Sequence, residues 1–171
     1  MSSIVESHGL EPRTISVTGD EPLSQCFGAR MADFPTQTFL NLFDVQVARR
    51  PEQSAVVSGS ESLSYAELNE RANQLAAYLR GQGASAETLV GICIERTLDM
   101  AIGILGILKS GAAYLPLDPD YPAERLAWLV NDSQVSLVLT TSKLAARLPN
   151  FAAKLILLDQ EQALICKEAI V

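Results

Sequence analysis

Thr88-Leu-Val-Gly-Ile-Cys-Ile94 is followed by Leu98-Asp-Met-Ala-Ile-Gly-Ile-Leu-Gly-Ile-Leu-Lys-Ser110, then Gly111, then Ala113-Tyr-Leu-Pro-Leu117. The first run is apolar at successive positions, so both of its faces meet apolar surroundings, as in a strand of a parallel sheet. The second run ends at a glycine and reads as a helix. Met100 to Leu108 is apolar all round, so this helix is buried on most of its surface. Gly103 and Gly106 predict a neighbouring backbone in close approach; each costs about 1 kcal/mol of helix propensity against alanine. The third run is a second strand.

The alternation continues downstream. Pro119 and Pro122 mark a turn into a helix from Pro122 to Asn131, in which Trp128 is expected to pack in the core or an interface. Ser136 to Thr140 reads as a strand, Lys143 to Leu148 as a short helix and Lys154 to Leu158 as a strand. The order β-α-β-α-β-α-β predicts an α/β fold: a parallel or mixed sheet flanked by helices, with right-handed crossovers. Ligands of such sheets sit beyond the carboxyl ends of the strands.

Upstream, Phe39, Leu40, Phe43 and Val47 recur at helical spacing, and Arg49-Arg50-Pro51 ends that helix. Ser54 to Val57 reads as a short strand and Ser58-Gly59-Ser60 as a turn. Leu63-Ser-Tyr-Ala-Glu-Leu68 opens a helix whose apolar face is Leu68, Ala72, Leu75, Ala76 and Leu79, stopped by Gly81 and Gly83. Ser64 and Glu67 have the spacing of a capping box, and Leu63 and Leu68 that of a hydrophobic staple. Residues 1 to 35 are polar, carry scattered glycine and proline, and read as a tail or inter-domain linker.

Composition narrows the function. Of 171 residues, 48% are apolar and 19% charged, and mean hydropathy is +0.17, as in a soluble globular domain. Thirteen Lys+Arg against 20 Asp+Glu give a net charge of −7. With no basic run, nucleic acid is not an expected partner. No apolar stretch is long enough to span a bilayer and the first 30 residues hold no apolar run longer than two, so neither a signal peptide nor membrane association is expected. The three cysteines, Cys26, Cys93 and Cys166, have no CxxC spacing. They argue for a reducing, cytoplasmic setting and against a disulfide framework or zinc site. Cys93, inside an apolar strand, reads as an inert buried residue.

Reactive constellations are scarce. The single histidine, His8, lies in the presumed tail, which excludes a Ser/His or Cys/His nucleophile in the folded part. Neither GxxxxGK[ST] nor GxGxxG occurs, and the last glycine is Gly111. Asp118 and Asp120 flank Pro119 at a strand end, where magnesium or acid–base chemistry would be sited. With no third ligand at hand, they read as capping the loop and favouring the positive N-terminus of the next helix.

Two strings carry a family resemblance. Leu63, Ser64, Tyr65, Glu67 and Leu68 stand in a segment that resembles the first core motif of the amino-acid adenylation domains of nonribosomal peptide synthetases, which belong to the AMP-binding superfamily. Leu108-Lys-Ser-Gly-Ala-Ala-Tyr-Leu-Pro-Leu-Asp118, with Lys109, Gly111, Ala113, Tyr114 and Pro116, resembles the second, and Pro119 to Leu126 and Thr38 to Pro51 are similar to the same family. The match runs over about Phe34 to Asp159 and implies the first part of the large N-terminal subdomain of an adenylate-forming enzyme. Such an enzyme activates an amino acid with ATP and Mg, then loads a phosphopantetheine thiol on a carrier domain. The family's phosphate loop, amino-acid pocket and catalytic lysine would lie downstream of Val171. Residues 36–171 are therefore expected to be a partial domain, binding no cofactor and inactive alone. The partners implied are the remainder of a synthetase and its carrier domain. An alternative is a non-catalytic module that docks a small MbtH-like protein near Ala123 or complements a separately encoded downstream half.

Overall fold

The computed structural model describes residues 37–150 and 152–168. Residues Gln37–Val171 form one compact unit. The expected tail or linker, His8 and Cys26 lie outside the described residues. The element order is α1 (Phe39–Arg49), β1 (Ser54–Ser58), β2 (Glu61–Ser64), α2 (Tyr65–Gly81), β3 (Leu89–Cys93), α3 (Leu98–Ser110), β4 (Ala113–Pro116), α4 (Ala123–Asp132), β5 (Leu137–Thr140), α5 (Ser142–Ala145), β6 (Lys154–Leu157) and α6 (Leu158–Ile165).

The main sheet has four strands in the order β4-β3-β5-β6, and every pairing in it is parallel. The expectation of a parallel or mixed sheet thus resolves to a parallel one. The apolar character of β3 and β5 on both sides has a direct cause, because each face of the sheet carries its own core. Val90, Ile92, Leu137 and Leu139 pack with Leu75 and Leu79 of α2 and Leu105 and Ile107 of α3. Cys93 and Val138 face the other way, toward Leu126 and Val130 of α4 and Leu144 of α5.

Helix α2 starts where the sequence places it. The Glu67 amide donates to Ser64 Oγ at 3.2 Å, and the Ser64 amide donates to Glu67 Oε2 at 2.8 Å. Leu63 and Leu68 are both buried, completing the staple. Ser64→Ala removes the cap and is expected to lower stability by about 1 kcal/mol, read from a urea midpoint. The hydrogen bonds from Ser64 hold the Glu67 carboxyl below its ordinary value. A depressed folded pKa stabilises above the ordinary carboxylate range and is lost as pH falls through the lowered value. The deficit of Ser64→Ala should therefore shrink in acid.

Helices α2 and α3 lie side by side. Leu75 packs onto Gly106, and Arg80 Nη1 donates to the Lys109 carbonyl at 3.1 Å. Both glycines of α3 do make room, but for side chains rather than for backbone. A Cβ on Gly106 would stand 2.6 Å from Leu75 Cδ2, and one on Gly103 would stand 2.9 Å from Ile92 Cδ1. Gly111 ends α3 in the left-handed conformation at φ 95°.

Several expectations change. The chain does not pass straight from the Ser58–Ser60 turn into α2, because Glu61–Ser64 forms β2, antiparallel to β1. Pro122 is the N-cap of α4 rather than its first helical residue. The short helix expected at Lys143–Leu148 is Ser142–Ala145, and α6 continues directly from β6. Trp128 is not in the core: it is 61% exposed.

Candidate functional site

The connections explain where a crevice opens. Chain leaving β3 rises into α3 on the face of the first core, whereas chain leaving β4 and β5 goes to α4 and α5 on the face of the second. Neighbouring strands whose exits part to opposite faces leave a gap at their carboxyl ends. Between β3 and β4 this gap is a cleft of about 560 Å3. Its walls are Ile94, Met100, Leu117 and Tyr121, with Glu95, Arg96, Asp118 and Asp120 at the rim.

The rim charges are arranged by ordinary local chemistry. The Asp120 amide donates to Asp118 Oδ1 at 3.0 Å, a turn closed by a side chain. Asp120 also faces Arg147 at 3.6 Å. Glu95 accepts from Lys143 Nζ at 2.8 Å, a contact that holds its carboxyl below the ordinary value. Asp159 accepts from both the amide and the hydroxyl of Ser142, and its carboxyl is lowered by those bonds. Cys93 is fully buried, and burial pushes its thiol up to about 11, which keeps it protonated and unreactive as expected.

Most of the motif residues with described contacts pack or cap helices. Leu63 and Leu68 are buried, Ser64 and Glu67 cap α2, and the Tyr65 ring lies 5.9 Å from that of Phe43. Lys109, only 13% exposed, pairs with Asp44 at 3.2 Å and sits 5.7 Å from the Phe43 ring centroid, fastening α1 to α3. Leu108 is half-buried. Ala113, Tyr114 and Pro116 lie along the sheet-edge strand β4, and Asp118 is at the crevice rim. Ala123 is exposed at the first residue of α4, beside Tyr121, over whose ring Arg125 stacks at 4.4 Å. The sequence reading did not single out Glu95, Arg96, Lys143 or Arg147 at this edge.

A nucleotide with magnesium does not fit the described residues. The turns from strand to helix at this edge, residues 94–97, 117–122 and 141, contain no glycine. Among the described residues the glycines at positive φ are Gly59, Gly83 and Gly111, in a hairpin and after helices, not before them. Among the described residues no three His, Cys, Asp or Glu stand together as a metal site. No chemical step is drawn through these groups. No helix among the described residues is long and apolar enough to cross a membrane.

The sequence profile described as "AMP-binding enzyme" matches residues 43–169, and the chain belongs to that family. Within it, the chain is a portion of an adenylation domain of the nonribosomal peptide synthetase type. It is 51% identical over 112 residues to bacitracin synthase 3 of Bacillus licheniformis, covering 66% of this chain and 2% of that protein. It is 48% identical over 147 residues to tyrocidine synthase 2 of Brevibacillus parabrevis, covering 84% and 4%. Among solved structures, the nonribosomal peptide synthetase FmoA3 bound to α-methyl-L-serine-AMP superposes with a TM-score of 0.65 at 33% identity, covering 68% of this chain and 13% of that one. The N-terminal subdomain of Klebsiella oxytoca NpsA shares the fold at 22% identity, with a TM-score of 0.67 over 78% of this chain and 32% of that one. The chain thus spans only 2 to 4% of the length of these synthases.

Proposed function

We propose that this chain supplies scaffold to an amino-acid-activating unit, and that its described residues do not themselves handle the nucleotide. The intact unit joins an amino acid to the adenylyl group of ATP, releases pyrophosphate and passes the aminoacyl group to a carrier-domain thiol. The supporting observation is the side-by-side packing of the two family motifs: Leu63–Leu68 opens α2, and Leu108–Asp118 runs from the end of α3, which lies along α2, to the crevice rim. The side chains of Ser64, Glu67, Lys109 and Asp118 in those motifs cap a helix, fasten two helices or close a turn. The partners this reading requires are the rest of the adenylation domain and the carrier domain of a synthetase. ATP and magnesium would then be held by residues outside this chain, with the chain alone inactive. The exposed Ala123 at the start of α4 is the contact point that a small MbtH-like partner would use.

The test is amino-acid-dependent ATP–pyrophosphate exchange with the chain alone and with the downstream part of a related adenylation domain supplied in trans. Activity only in the mixture supports the scaffold role; activity of the chain alone overturns it.

A further inference from the structure

β3 and β5, like β3 and β4, send their chains to opposite faces of the sheet, but here the segment after β5 runs across their carboxyl ends. The segment Thr141–Pro149, which contains α5, crosses this edge on the way from β5 to β6. Leu144 at its centre is buried in the second core. Its remaining ties are exposed and polar. Lys143 reaches Glu95 of the β3–α3 turn at 2.8 Å, and Arg147 reaches Asp120 of the β4–α4 turn at 3.6 Å. Ser142 is bound to Asp159. A helix of four residues adds little stability of its own.

At this edge lies an unusual pair. Thr140 at the end of β5 is fully buried, and its hydroxyl has no nitrogen or oxygen partner. Its register partner across the gap is Cys93, also fully buried. Both groups are out of reach of a solute while the segment is in place.

We propose that Thr141–Pro149 is a hinged strap that shuts the β3–β5 crevice, held by Leu144 and by the Lys143–Glu95 and Arg147–Asp120 pairs, and that its release opens the Thr140 hydroxyl and the Cys93 thiol to entering small molecules. The pairs are solvent-exposed, so salt screens them and favours release. The closed form dominates because Leu144 must leave the core for the strap to lift.

The experiment is alkylation of the full 171-residue chain with iodoacetamide, a small neutral reagent, read at Cys93 by peptide mass spectrometry, which separates it from Cys26 and Cys166. Between low salt and about 1 M NaCl the Cys93 rate is expected to rise about five-fold, the size set by two exposed ion pairs. Its dependence on urea should be a small fraction of that of global unfolding, the mark of a local opening. Lys143→Met combined with Arg147→Met should react fast already at low salt and lose the salt response. A Cys93 rate that ignores salt, or one whose urea dependence equals that of global unfolding, overturns the strap. If the double variant does not fold, the wild-type salt and urea series decides by the same criteria.

Discussion

Gly106→Ala is expected to destabilise the chain by about 1–3 kcal/mol, although alanine is the better helix former by about 1 kcal/mol. The added methyl would meet Leu75 at 2.6 Å from Cδ2, 2.8 Å from Cγ and 3.0 Å from Cβ. Those three atoms span the root of the side chain as well as its tip, so a rotamer change does not clear them. Leu75 is itself fully buried at the contact of α2 with α3, so any shift of it disturbs packed neighbours. Gly103→Ala makes a useful contrast, since its closest neighbour is the Ile92 Cδ1 tip at 2.9 Å; a methyl end can swing, and the cost should be smaller. Leu75→Ala alone should cost about 2–5 kcal/mol as a buried cavity. When Gly106→Ala and Leu75→Ala are combined, the methyl added to α3 takes up part of that cavity, so the summed cost is less than the two single costs. A double-mutant cycle from urea midpoints checks this. Additivity within about 0.5 kcal/mol would mean that the two positions are not in contact.

Tyr78→Phe is expected to cost about 1.5 kcal/mol at neutral pH, the lower end for a hydrogen bond to a charged group. The Tyr78 hydroxyl of α2 donates to Glu161 of α6, and the other Glu161 oxygen accepts from the Leu157 amide at 3.0 Å. This bond ties α6 to α2, beside the packing of Ile165 in the first core. The bond to Glu161, followed by burial, pushes the Tyr78 phenol up to about 12 from its ordinary 10. The sign follows from linkage. A folded pKa raised above the unfolded one stabilises fully below the unfolded value and is lost as pH climbs through the folded one. Wild type and Tyr78→Phe should therefore differ in stability up to about pH 10 and converge toward pH 12. A difference that stays constant through that interval would assign the contact no role in docking α6.

Much of the fold was legible because burial on two faces leaves a plain record. β3 and β5 are apolar at successive positions, and α3 ends at a glycine held at positive φ. The capping box of α2 was readable because its two hydrogen bonds depend on residues only three apart. β2 was not readable, because Glu61-Ser-Leu-Ser64 has one apolar residue and is held by pairing with β1 rather than by its own pattern. Trp128 is kept out of this chain's core by an argument that periodicity supplies: Leu126 and Val130 are four apart and inward, which turns the residue midway between them outward. α3 showed that something approaches Gly106 but not what, since Leu75 is brought there by tertiary packing.

The crevice was the least legible part. It arises from the order β4-β3-β5-β6 and from exits that part to opposite faces, neither of which any single residue records. The ion pair at its rim joins residues 48 positions apart, Glu95 and Lys143. The family motifs pointed near this edge through Asp118, whose carboxylate closes its own turn.

The scaffold role itself is tested most directly by amino-acid-dependent ATP–pyrophosphate exchange, measured on the purified chain over a panel of amino acids. The prediction is exchange no faster than the enzyme-free control for the chain alone, with exchange for one amino acid appearing once the downstream part of an adenylation domain is added. Exchange by the chain alone that depends on a particular amino acid would contradict the scaffold role, because nucleotide chemistry would then reside in residues whose side chains are occupied with packing.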